Sequence, residues 1–185
     1  SVDTYKAEVA RHAVDAGAVI INDIWGLKVE PELARVAAET GAGLVLMHNQ
    51  KGTQYRDLVP NLVSSLKDSV RTALEAGVSR DNIIVDPGIG FGKTPEQNLV
   101  VLARLDELKE LDCPILVGTS RKSTLGILLD LPSEERVEAT AATVSLAIAG
   151  GADLVRVHDV KEMVRVCRVT DAVVRGWRPE GWKAS

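Results

Sequence analysis

Residues 82–98 read NIIVDPGIGFGKTPEQN, and the parsing of this stretch decides the fold. Its Gly92-Lys93-Thr94 triplet has the look of a phosphate-gripping loop. The Walker pattern, however, needs a glycine five positions before the glycine of that triplet, and the position holds Pro87. The dinucleotide pattern G-x-G-x-x-G fits Gly88 and Gly90 but fails at Lys93. The reading that fits is strand, turn, helix. Asn82–Val85 is an apolar run of strand length, and Asp86 stands at its end. Alternating glycines let the backbone approach a bound group. Thr94, Pro95 and Gln97 supply an N-cap, a proline at N1 and a capping-box partner.

The same unit recurs along the chain. Apolar runs at Ala18–Ile21, Leu44–Met47, Ile115–Val117 and Leu154–Val157 lack clean alternation, as parallel strands buried on both faces do. Helical patterns lie between them. Val59, Leu62, Val63, Leu66, Val70, Ala73 and Leu74 form one apolar face. Val160, Met163, Val164 and Cys167 form another near the end. Gly17, Gly41, Gly77 and Gly151 follow helical stretches, as C-terminal caps do. AGAVIIND, TGAGLVLMH and GGADLVRVHD repeat cap glycine, strand and polar end. The residues alone allow an open doubly wound sheet or a (β/α)8 barrel. The organisation is one domain over 1–176 and a surface tail over 177–185.

Bulk properties exclude several classes. A net charge of −4 offers no electrostatic case for nucleic acid or an anionic membrane, and no apolar run nears transmembrane length. Cys113 and Cys167 stand in no metal or redox spacing, so a reduced, cytoplasmic setting is expected and Cys167 reads as core. The chain opens SVDTY without methionine, as though entered in mid-element.

Polar residues cluster where strands end: Asp3, Asn22-Asp23, His48-Asn49, Asp86, Ser120-Arg121-Lys122-Ser123, and Arg156 with His158 and Asp159. Parallel α/β folds bind ligands at the carboxyl ends of strands. Strand alternation sends Arg156 and His158 to one side, and SRKS suits an anion at a helix start. Asp23 reads equally as a turn cap, His48 and Asn49 read as solvated at the start of a loop, and His12 reads as inert.

SVDTY, IINDIWG, LVLMH, DPGIGFGKTPEQN, GTSRKS and LVRVHDV, in this order, resemble the dihydropteroate synthases of the pterin-binding enzyme family. The resemblance implies a (β/α)8 TIM barrel, incomplete here, with about six of eight strands in 185 residues against about 250 for the fold. It implies condensation of a dihydropterin-methyl diphosphate with 4-aminobenzoate, giving 7,8-dihydropteroate and pyrophosphate for folate synthesis. By resemblance Asp86 takes the guanidine-like pterin edge, with Asn22 and Asp3 on other ring nitrogens and Lys122 on the carbonyl side. Met47, Phe91 and Gly118 line the slot. Arg156 and His158, with Asn22, hold the diphosphate, and Ser123 meets the aminobenzoate carboxylate. The resemblance also implies a dissociative route, with Asp3 and Asp86 facing a pterin-methyl cation and Arg156, His158 and Mg2+ facing the leaving group. The family's metal-binding Asn belongs to an N-terminal loop that this sequence lacks. A homodimer through the last two helices is a further implication. The rival readings are a pterin-binding methyltransferase domain of the corrinoid type and a non-catalytic pterin-binding fragment.

Overall fold

The computed structural model describes residues 1–183. Among the described residues six strands and seven α-helices follow one another, one helix after each strand except for two after β5. They are β1 (Val2–Asp3), α1 (Ala7–Asp15), β2 (Ile20–Asp23), α2 (Glu32–Thr40), β3 (Gly43–Met47), α3 (Leu58–Glu75) and β4 (Ile83–Asp86), then α4 (Pro95–Ala103), β5 (Leu116–Val117), α5 (Ser123–Leu129), α6 (Val137–Gly150), β6 (Leu154–Val155) and α7 (Val160–Val174). All pairings are parallel and in sequence order: β1-β2-β3-β4 in one ladder and β5-β6 in another. A bridge from Val85 to Ile115 and a bond from the Val85 N–H to the Pro114 carbonyl (2.9 Å) join the ladders. Consecutive parallel strands with helical crossovers build an incomplete (β/α)8 barrel, and the doubly wound alternative is set aside.

The core follows from the two periodicities. Ile21, Leu44, Leu46, Ile83, Val85, Ile115 and Val117 from the strands pack with Leu33, Val36, Leu62, Leu66, Leu105 and Leu108 from the surrounding turns and helices. In α3 the expected face is inside, with Leu74 only half-buried. Burying each Leu there stabilises by about 1.5–3 kcal/mol. The four expected cap glycines all have positive φ. At Thr94 the capping box is complete: the Gln97 N–H donates to Thr94 Oγ1 (3.2 Å) and the Thr94 N–H to Gln97 Oε1 (2.8 Å).

Three differences from expectation have physical causes. First, β2 runs on to Asp23 because its ladder to β3 continues through Asp23↔Leu46, while Val19 ahead of it is exposed. Second, β6 stops at Val155, since this edge strand has one paired neighbour, β5, among the described residues. Third, α7 does not bury its apolar stripe: Met163 is 1% exposed, Val160 59% and Val164 42%. A small second core of Val144, Ile148 and Met163 joins α7 to α6, with Cys167 partly buried against it. Past α7, residues 177–183 carry no helix or strand, and Trp177 and Trp182 are exposed. The last two residues of the expected tail lie outside the described residues.

Candidate active site

The carboxyl ends of all six strands open into one cavity of about 460 Å³. Of the expected site residues, Asp3, Asn22, Met47, Asp86, Phe91, Gly118, Lys122, Arg156 and His158 line it. Ser123 does not. It is exposed on the first turn of α5, beside Lys122.

Asp86 is buried at the end of β4, where its Oδ1 accepts the Gly88 N–H at 2.7 Å. That bond closes the DPG turn. Gly88 has a φ of +69°, and a side chain there would collide with the His48 carbonyl oxygen. Burial raises the Asp86 carboxyl to about 6, although the Gly88 bond and the charges of Lys122, Lys93 and Arg156 pull it down. A buried carboxylate facing a cavity with lone pairs to spare suits a flat partner offering two parallel N–H donors. Next to it, the Lys122 ammonium sits 4.4 Å from the Phe91 ring centre, a cation–π contact. Burial lowers the Lys122 ammonium, and the nearby Asp86 charge opposes that shift.

The other wall is wetter. Arg156 on the edge after β6 reaches Asp3 on β1 with 2.9 and 2.8 Å bonds to its two oxygens, both side chains being 53% exposed. Asn22 Nδ2 donates to Asp3 Oδ1 at 2.9 Å. Burial works against the Asp3 charge, but the bonds from Arg156 and Asn22 outweigh it and hold the carboxyl below its usual range. Arg156, expected on the diphosphate, is thus paired with Asp3 in this structure.

His158 is held by Ser120. Ser120 Oγ lies 2.9 Å from His158 Nδ1 and accepts the His158 N–H at 3.1 Å. Ser120 lines the cavity too. It stands among the strand-end polar residues of the GTSRKS motif, but neither the residues nor the resemblance gave it a role of its own. Arg121 braces the same loop. It adopts a φ of +57°, unusual for a non-glycine residue, and grips Asp159 through two bonds of 3.0 and 2.6 Å. Ile24, Ile89 and Val157 add apolar lining. As apolar residues beside strand ends they carried no distinguishing signal.

Two polar readings resolve away from the cavity. Asp23 caps its own turn, its oxygens accepting the Trp25 and Leu27 N–H groups at 2.8 and 2.6 Å. His48 and Asn49 are not solvated, as expected from their place at a loop start, but buried. The DPGIGFGK loop lies against His48, Lys93 Nζ standing 3.1 Å from its Nδ1, and Lys28 Nζ donates to the Asn49 carbonyl at 2.9 Å. Among the described residues no three His, Cys, Asp or Glu side chains converge as a metal site. Asp3 is committed to Arg156 and Asn22, and Asp86 partly to Gly88. The residues present therefore do not by themselves fit a Mg2+ ion.

Known proteins resemble this chain in sequence and fold. Residues 1–158 match the pterin binding enzyme family. The chain is 55% identical over 174 residues to a dihydropteroate synthase of Bacillus subtilis, covering 94% of this chain and 61% of that protein. It is 52% identical over 176 residues to one of Clostridium beijerinckii, covering 95% of this chain and 65% of that protein. It thus spans less than two thirds of the length of these curated relatives. A dihydropteroate synthase structure from Clostridium difficile, solved in the presence of pteroic acid, superposes with a TM-score of 0.92 at 46% identity, covering 94% of this chain and 66% of that one. A Yersinia pestis dihydropteroate synthase in a sulfonamide drug complex gives 0.89 at 38% identity, covering 95% and 66%. With six strand ends gathered on one cavity and the family match running through β6, this chain belongs to the pterin-binding enzyme family.

Proposed function

We propose that this chain carries the pterin and diphosphate sites of a dihydropteroate synthase. In the reaction, the aryl amine of 4-aminobenzoate forms a C–N bond to the pterin methylene. The C–O bond to the diphosphate breaks, and pyrophosphate leaves with the electron pair of that bond while the amine gives up a proton. The observation that carries the reading is the division of one cavity. A dry carboxylate, Asp86, faces a slot lined by Met47, Phe91 and Gly118, and the basic groups Arg156 and His158 stand on another wall.

The roles follow from that geometry. Ionised Asp86 accepts from the guanidine-like pterin edge, while Asn22 and Lys122 face other ring heteroatoms. Arg156 exchanges part of its pairing with Asp3 for the diphosphate, and His158, oriented by Ser120, adds a donor. Asp3, freed in part, faces the positive charge that develops at the methylene as the C–O bond breaks. Fixed charges at a preorganised site supply the main stabilisation. The Arg, His and Ser set is what a methyltransferase reading does not require. Ser123 remains the proposed contact for the aminobenzoate carboxylate. A cytoplasmic setting accords with two free thiols, and a homodimer accords with the exposed apolar residues Val169 and Val173 on α7 and Leu146 on α6.

Equilibrium binding of pteroic acid and pyrophosphate release with both substrates test this. Asp86→Asn should weaken pteroic acid binding about a hundredfold, since a hydrogen bond to a charged group contributes roughly 1.5–3 kcal/mol. Undiminished affinity would remove the pterin assignment. Binding without pyrophosphate release would leave a binding site and no synthase in this span.

A further inference from the structure

We propose that Lys93 is a positioning residue, a buried clasp that holds the DPGIGFGK loop against the end of β3 and so sets Phe91 and Lys122 at the pterin slot. The proposal rests on the pterin reading of the cavity. Lys93 does not line that cavity and is 8% exposed. Its Nζ lies 3.1 Å from each of the Gly88 carbonyl, the Phe91 carbonyl and His48 Nδ1. An ammonium has three donors and no acceptor, so each donor has a partner. His48 Nδ1 must then accept, which leaves the imidazole proton on Nε2. Burial, with the charges of Lys93 and Lys28, pushes His48 down to about 3, in keeping with a neutral ring.

Both carbonyls belong to the loop that shapes the slot. Phe91 is the ring beneath the Lys122 ammonium, and Gly88 closes the turn that orients Asp86. The segment after β3 buttresses the loop from behind at further points. Tyr55 Oη donates to the Gly92 carbonyl at 2.7 Å, and Gln97 Nε2 to the Thr53 carbonyl at 2.9 Å. Lys28 Nζ, donating to the Asn49 carbonyl at 2.9 Å, ties the buttress to the turn after β2. Contact is close enough that a side chain at Gly92 would come within 2.7 Å of the Gln50 carbonyl oxygen. The lysine that imitates a nucleotide-binding loop in sequence thus faces inward.

The full chain, with Lys93→Met, Tyr55→Phe and Asp86→Asn variants, tests this by pteroic acid titration and by 15N spectra of the His48 ring. Lys93→Met should weaken pteroic acid binding about tenfold, with Tyr55→Phe weakening it less, as expected for lost charge-assisted and neutral hydrogen bonds respectively. Wild-type His48 should show an unprotonated Nδ1 down to pH 5, and in Lys93→Met, which removes one positive charge and the Nδ1 donor but not the burial, the ring should titrate at a higher pH than in wild type. Should Lys93→Met fail to fold, Tyr55→Phe and the wild-type ring spectrum decide. A folded Lys93→Met with wild-type affinity, an unaffected Tyr55→Phe when Lys93→Met cannot be measured, or a wild-type His48 titrating normally overturns the clasp. A wild-type chain that binds no pteroic acid overturns the pocket reading instead, and the ring spectrum alone then judges the clasp.

Discussion

The two walls of the cavity are built differently. One rests on β3 and β4, strands of five and four residues paired in register and backed by α3. There Asp86 is buried and fastened by its own turn, and the half-buried Lys122, from the turn after β5, lies over Phe91. The other rests on β1 and β6, two-residue strands at the two edges, where Asp3 and Arg156 are half exposed and hold each other. The dry wall can recognise a rigid ring, because a low-dielectric setting strengthens each hydrogen bond and fixes its direction. The wet wall can exchange one anion for another, because an exposed ion pair is weak in water.

Mutation can break this contrast. The largest effect is expected in α3, where Leu66 is 1% exposed. Leu66→Ala should cost about 2–5 kcal/mol in urea unfolding, whereas Val164→Ala on α7 should stay within about 0.5 kcal/mol. Equal losses would mean that the two sides of the barrel are equally packed.

Next comes pH. Burial lifts the Asp86 carboxyl from 3.8 to about 6, so between those values the folded state binds more protons than the unfolded one. Asp86's contribution to stability is therefore present at low pH and is lost as pH rises through about 6. Pteroic acid affinity should change the other way, rising through the same window as the carboxylate ionises. Comparing wild type with Asp86→Asn isolates both trends, and parallel curves would show that Asp86 does not titrate there.

The smallest effect belongs to the wet wall. Asp3→Asn should change stability by no more than about 1 kcal/mol, and the change should fade as salt is added. A larger, salt-insensitive loss would make Asp3 part of the dry construction.

Much of this was legible beforehand. Strand positions came from apolar runs, the start of α4 from the Thr94-Pro95-Gln97 signature, and the α3 face from its period. Most of the cavity residues stood at strand ends, where a parallel fold delivers its chemistry. The stripe Val160-Met163-Val164-Cys167 misled, because periodicity states which residues share a face and not whether anything covers it. His48 misled for a similar reason: a residue at the start of a loop is buried or solvated according to where a distant segment folds.

The sequence by itself determined the order of elements, the parallel ladder and the residue types at the cavity, since local propensity, pattern and capping depend on near neighbours in the chain. Only the tertiary structure decided that Arg156 pairs with Asp3, that Ser120 orients His158, and that Lys93 turns inward to His48. These are contacts between residues separated by 153, 38 and 45 positions. Which donor meets which acceptor across such distances is settled by packing, after the chain has closed around its core.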